Sequence, residues 1–543
     1  MKPEPPPSHG PWQVVWFKRD LRIRDHAPLA EAAARGPVLG LYLYEPELLG
    51  SPEWDPIHSE FMAQALRELD AEFTARGGRL LLRRGEAVEQ LERLHRETGF
   101  TTLWSHEETG NRITFDRDLR VVRWCRDRGV RWEERRQDGV IRRLRSRDGW
   151  AERWNRTMGG RVVEAPESLG NGKGGGFVSE GVLGPEQLGL PPMRNVELQR
   201  GGESAARETL NSFLAGRGAG YRTDMSSPVT AWTGCSRLSP YLAWGCLSLR
   251  TVHQAATQRM ESLRLERTAG LDADPRWSGA LTSFQARLRW HCHFMQKLED
   301  EPRIEFENFS RVYDGLREDF TASDEGQERL AAWCVGRTGF PMVDACMRAV
   351  RATGWLNFRM RAMVVSVASY HLWLHWRPTA LHLGRCFLDF EPGIHFSQFQ
   401  MQSGTTGINT LRIYSPARQV IDQDPHGVFI RRWVPELAGV PDSFLPEPWR
   451  MSLSQQESCG CVIGVDYPRP IVDDRKAVAL AKERLYALRR TEGARHDARR
   501  VVQRHGSRKR GHFRGADPEL RFRQQLLGES PSEEPGLTQP ELF

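Results

Sequence analysis

The chain has 543 residues, 39% hydrophobic and 27% charged, with a formal net charge of +7. That length exceeds what one hydrophobic core organises, so two or more domains are expected. No uninterrupted apolar stretch reaches the ~20 residues that cross a bilayer, and the opening M-K-P-E-P-P-P-S-H-G lacks a secretory apolar core, so no membrane partner and a cytoplasmic location are expected.

The first ten residues read as a short flexible leader. Trp12 to Phe17 is an apolar run that predicts a buried strand, followed by a charged loop from Lys18 to Asp25 and a helix from about Pro28. Val38–Tyr44, Arg79–Arg83, Thr102–Trp104 and Val130–Glu133 predict four more strands, and Phe61–Arg76 has helical periodicity. Short strands alternating with helices imply a Rossmann-like parallel α/β domain over residues 10–145. Residues 146–205, with several prolines and G-N-G-K-G-G-G at Gly170–Gly176, read as a long interdomain connection.

From 206 to 486 the pattern is almost wholly helical and predicts one large α-domain. Its expected helices are Arg207–Ala215, Leu238–Met260, Leu281–Leu298, Glu328–Cys334, Val343–Thr353, Arg359–Trp373 and Ala380–Cys386. Residues 487–543 are polar and charged and read as a disordered tail, with a basic run from Arg499 to Arg510. The nine cysteines are scattered and odd in number, which fits reduced thiols; Cys459 and Cys461 lack a second pair at metal-ligand spacing. On a helix His291 and His293 point about 200° apart and cannot share a metal, so none is expected.

The chemistry concentrates at Cys235 to Leu249. Ser236, Arg237 and Ser239 precede an apolar run at helical spacing, and hydroxyls, a guanidinium and a helix N-terminus together can cradle a pyrophosphate. A mildly basic chain is compatible with a polyanion. Eighteen tryptophans can fill cores, stack on bases or flavins, and carry electrons.

Four motifs in order give the chain a resemblance to the DNA photolyase/cryptochrome family, along about Val14 to Tyr486. They are W-F-K-R-D-L-R at Trp16–Arg22, S-R-L-S-P at Ser236–Pro240, T-G-F-P-M-V-D-A at Thr338–Ala345 with T-G-W at Thr353–Trp355, and R-R-W-V-P-E at Arg431–Glu436. The resemblance implies FAD, folded into a U in the helical domain. By position it assigns Ser236, Arg237, Leu238 and Ser239 to the flavin phosphates and Tyr221 to the phosphate or ribityl region. Arg361 and Asp389 fall at the ring edge, Glu391 where a second aspartate is common, and His395 at N5. A histidine there can change charge near neutral pH and tune protonation of the flavin radical.

The chain departs from the family at His395, where typical photolyases have asparagine and other branches aspartate or cysteine, and in two further places. Of the usual three-tryptophan wire only Trp376 matches; Phe399 takes the flavin-proximal position and the distal one falls near Ser323, while Trp373 lies one helical turn away. In the lesion pocket Trp290 matches one of two stacking tryptophans and Met401 replaces the other. Arg287 stands for a glutamate, Phe358 and Ala362 for an asparagine and a methionine, with Asn357 beside them, and Arg359 matches a backbone-contacting arginine.

UV-damaged DNA, single- or double-stranded, is the expected partner, and a pyrimidine-photoproduct lyase the expected activity, by a monomer. The alternative is a cryptochrome-type photoreceptor that signals through its tail. A non-photochemical flavoprotein is a third reading. A second antenna chromophore of folate or deazaflavin type has only Glu107–Asn111 as a hint, with Arg112 where an acidic contact is common.

Overall fold

The structure is a computed structural model that describes residues 12–170, 176–193, 197–271 and 274–506. Five parallel strands form one sheet: β1 (Gln13–Phe17), β2 (Val38–Tyr44), β3 (Arg79–Arg84), β4 (Thr102–His106) and β5 (Arg131–Arg135), in the order β3-β2-β1-β4-β5. β1, β2 and β4 are buried along their whole length, as expected where helices cover both faces. The chain steps outward from β1 to β3, then returns to β4. The crevice outside the carboxyl ends of β1 and β4 is therefore the topological switch point. It faces the helical domain.

The connection after residue 145 is more structured than its glycines and prolines imply. Trp150–Met158 is a helix that buries Trp150, Trp154 and Met158 at i, i+4 and i+8. Further on, Val38 N–H donates to the Leu169 carbonyl (2.9 Å), and Glu180 N–H to the Leu82 carbonyl (2.8 Å). The segment thus covers the exposed edge of β3.

The helical domain shares a core with the α/β domain. Phe61 meets Tyr241 and Trp54 meets Trp244, each pair with ring centroids 5.7 Å apart. The expected helix Leu238–Met260 is two helices, Ser239–Ala243 and Leu249–Thr268. The break is at Gly245, with φ +63°, where a Cβ would lie 2.2 Å from the Arg19 carbonyl oxygen. Only glycine lets the loop after β1 come that close. Leu21 N–H then donates to the Trp244 carbonyl, and Arg19 Nε to that of Ala243 (2.9 Å).

Arg359–Trp373 also divides, into a helix over Phe358–Ser366 and a π turn over Val367–His371. A helix absent from the sequence expectations, Pro392–Ser403, packs against the helix Arg276–Asp300.

The expected disordered tail is corrected for its first part. Asp474–Arg489 and Glu492–His505 are helices, and the second buries Ala494, Ala498, Val501 and His505. Arg500 Nη2 donates to the Phe309 carbonyl (2.9 Å), and His505 pairs with Glu301. The tail beyond 506, with the rest of its basic run, lies outside the described residues, as does the leader. Among the described residues no helix is long and apolar enough to cross a membrane.

Candidate active site

A cavity of about 320 Å³ opens in the helical domain. Four segments wall it: the loop Cys235–Ser239, the start of the helix Phe358–Ser366, the run Phe387–His395 with the helix that follows, and one face of the helix Arg276–Asp300.

Arg237 dominates one end. Its backbone is left-handed, φ +60°, a strain of about 1–3 kcal/mol for a residue with a Cβ. Its guanidinium lies between Trp232 (4.2 Å) and Trp355 (3.9 Å). Gln199 holds it twice, accepting from Nε (3.1 Å) and donating to the backbone carbonyl (2.9 Å). Burial lowers its pKa to about 10, and Nη1 is buried without a partner. A strained, desolvated cation with an N–H to spare is organised for an anion.

At the other end Arg361 forms a two-point ion pair with Asp389 (3.0 and 2.8 Å), donates Nε to the Leu356 carbonyl (2.8 Å) and lies 3.9 Å from the Phe387 ring. Burial pushes Asp389 up. The charge and hydrogen bonds of Arg361, with a hydrogen bond from Ser239, outweigh it and keep the carboxyl below its usual range. Glu391 is different: burial, against the pull of Arg19, pushes it to about 7.

His395 lies on the floor. Burial pushes it down to about 4, and its Nε2 is 2.8 Å from the Ala380 carbonyl oxygen. A carbonyl only accepts, so Nε2 carries the hydrogen and Nδ1 is the bare nitrogen. Its ring packs on Phe399 at 4.6 Å.

The mouth is apolar with one cation. Trp290, Phe358 and Ala362 line it, with Arg287 5.0 Å from the Phe358 ring. Tyr221 is there too, its hydroxyl pushed far up by burial. Asn357 donates both amide hydrogens, to the carbonyls of Met225 (3.1 Å) and Ser226 (2.8 Å), leaving its Oδ1 buried and unpartnered.

Most of the residues expected at the site converge here: Tyr221, Ser236, Arg237, Leu238, Ser239, Arg287, Trp290, Phe358, Arg361, Asp389, Glu391 and His395. Three do not. On the helix Pro392–Ser403 the cavity-facing positions are 394, 395, 398, 399 and 402, so Met401 falls off that face and Gln398 and Gln402 take its place. Arg359 is likewise off the face made by 358, 361, 362 and 365. Trp376 is wholly buried behind the cavity, its Nε1 donating to Asn308 (2.8 Å).

Gln199 and Trp232 were missed because no local pattern links them to Arg237. His291, set aside as a metal ligand, lines the cavity while His293 packs between Trp150 and Trp290. Glu107–Asn111, the hint of an antenna site, ties the two domains together. Thr109 donates to Glu299 (2.8 Å) and the adjoining Arg112 N–H to Glu305 (2.7 Å), while Asn111 donates to Glu53 (2.6 Å) within the α/β domain.

Comparison with known families agrees with this architecture. Residues 13–145 match the model described as DNA photolyase, and 284–487 match the FAD binding domain of DNA photolyase. The chain belongs to the DNA photolyase/cryptochrome family. Its helical domain is the family's FAD-binding domain.

Relatives within the family divide. A deoxyribodipyrimidine photo-lyase of Streptomyces griseus is 29% identical, covering 86% of this chain and 97% of its own length. A cryptochrome DASH of Natronomonas pharaonis is 28% identical, covering 85% and 98%. The crystal structure of a bacterial class III photolyase from Agrobacterium tumefaciens superimposes with a TM-score of 0.75 at 24% identity, over 90% of this chain and all of that one, a likeness of fold. The cavity suits FAD on its own terms. The unpartnered Arg237 Nη1 fits a phosphate oxygen, and Arg361 fits a ring that becomes anionic on reduction.

Proposed function

We propose that this family member is a light-driven DNA photolyase. The observation that carries the reading is that the cofactor end and an apolar, singly cationic mouth belong to one cavity. A base flipped out of DNA would enter beside the flavin.

Ser236, Arg237 and Ser239 would hold the FAD phosphates. Arg361, fixed in place by Asp389, would sit against the ring and favour its anionic reduced form. When bound, reduced FAD supplies one electron under blue light and takes it back after the pyrimidine photoproduct has split. Trp290 would stack on the flipped base, and Arg287 would meet a phosphate or a base carbonyl. The apolar walls exclude water, so the electron moves in a low-dielectric space. Repair does not need a tryptophan wire if the flavin is already reduced. With Phe399 on the cavity wall and Trp376 behind it, photoreduction by the usual route is expected to be slow.

The test is direct. Purified FAD-loaded protein is given UV-damaged single- and double-stranded DNA, illuminated with blue light and assayed for restored pyrimidines. Light-independent or absent repair of both the cyclobutane and the (6-4) lesions would reject the reading.

One observation favours the photoreceptor alternative. The helix Glu492–His505 docks on Glu301, Ser310 and Arg311, so a light-driven release of this element could signal. Illumination that raises proteolysis near residue 490 without repair would support that reading instead.

A further inference from the structure

Two cavities meet at Glu391. The second, with about 40 Å³ of room, lies in the switch-point crevice outside β1 and β4. Arg19, Glu107, Glu108, Asp138, His291 and Glu391 wall it, and it shares Leu242, Ala243, His291 and Glu391 with the first. A space of this size with a charged lining suits a few ordered waters. Glu391 therefore borders the cofactor cavity on one side and a polar crevice on the other.

We propose that Glu391 delivers the proton that accompanies reduction of the FAD ring, and that the second cavity resupplies it through Asp138. This rests on FAD in the first cavity and is independent of whether the protein repairs DNA.

The balance is simple. Oxidised FAD becomes the anionic reduced form by taking two electrons and one proton. The electrons come from an external reductant such as dithionite. The Glu391 O–H bond breaks and an N–H bond forms on the ring. The carboxylate left behind faces Arg19 and takes a proton from Asp138, directly or through water.

The surroundings single out this residue. Glu391 is faced by Arg19 from the loop after β1, Glu108 from the loop after β4, Asp138 from the segment after β5, and His291 from the helix Arg276–Asp300. Burial raises Glu391 to about 7 and Asp138 to about 6, so Glu391 keeps a proton close to neutrality and transfer from Asp138 to an ionised Glu391 runs downhill. The cavity's other candidates have none to give. The His395 N–H is committed to Ala380, Asp389 is kept ionised by Arg361, and burial pushes His291 down to about 4, so it carries no acidic proton near neutrality.

The experiment uses FAD-loaded full-length protein in the dark without DNA. Anaerobic dithionite reduction is followed by stopped-flow absorbance from pH 6 to 9, in H₂O and D₂O. Wild type is expected to slow as pH rises past about 7 and to show a solvent isotope effect. Glu391→Gln should reduce about a hundredfold more slowly, with both dependences gone. Asp138→Asn should move the inflection to lower pH, because a repelling charge is removed. Infrared difference spectra on reduction of Asp138→Asn, in which the resupply is cut, should lose a protonated-carboxyl band, and Glu391→Gln should show no such loss. A variant that keeps the wild-type pH profile and isotope effect overturns the proposal. If Glu391→Gln does not take up FAD, the absence of a carboxyl loss in the Asp138→Asn spectrum overturns it equally.

Discussion

The two ends of the main cavity are built to different standards. Arg237 is strained, sandwiched by two tryptophans and clamped by Gln199, while Arg361 has a two-point carboxylate, a carbonyl and an aromatic face. At the mouth Trp290, Phe358 and Arg287 are only partly buried, and Arg287 is held by neutral partners alone, the Phe358 ring at 5.0 Å, the Met225 sulfur at 3.9 Å and the Tyr221 hydroxyl. The lesson is one of commitment. Groups pre-ordered by several partners mark where one ligand always sits, and loosely held groups mark where guests come and go.

Removing the tightest group should break this contrast most clearly. Arg237→Ala leaves the phosphate end without its cation and should cost about 3 kcal/mol of FAD affinity, roughly a hundredfold in Kd. Fluorescence titration of the apoprotein with FAD checks it, and an unchanged Kd would contradict the assignment. Next comes Trp290→Ala, expected to weaken binding of damaged single-stranded DNA by about 2 kcal/mol, or some thirtyfold, with FAD affinity unaltered. Gel-shift and flavin titrations on the same preparation separate the two.

Asp389 gives a smaller, pH-resolved effect. Its folded-state pKa is depressed, so its contribution is present above the unfolded value near 4 and is lost as pH falls through the folded one. Acid titration of wild type should therefore show flavin retained at pH 5 and released at lower pH. Asp389→Asn should remove that step and weaken retention by about tenfold at pH 7. Smallest is Phe399→Trp, which places an oxidisable ring against His395. Photoreduction under blue light with an added thiol should rise several-fold while dark FAD affinity stays unchanged.

Much of the architecture was legible because it is written in short-range pattern. The strands are continuous apolar runs, and S-R-L-S-P announces its own chemistry. Arg361 and Asp389 came from family position, and their ion pair joins the helix Phe358–Ser366 to the turn before Pro392. What stayed hidden depends on distant partners. The break at Gly245 is caused by the backbone of Arg19, 226 residues earlier. The Arg237 clamp needs Gln199 and Trp232, and the second cavity needs Asp138 beside Glu391. The helix Glu492–His505 buries only two alanines, one valine and His505, so its charges dominate any local reading. Met401 was misplaced because the Pro392–Ser403 helix, with its proline and glycine at the start, has little of a helix's sequence signature.

Gly245 carries one more implication. The short helix Ser239–Ala243, which follows Ser236 and Arg237, leans at its end, through a side-chain-free contact, on the turn leaving the first strand. The two halves are thus not modular. Severing the chain near residue 145 and making the helical part alone should yield a product that neither stays soluble nor turns yellow, and only co-expression of both fragments should bring the colour back.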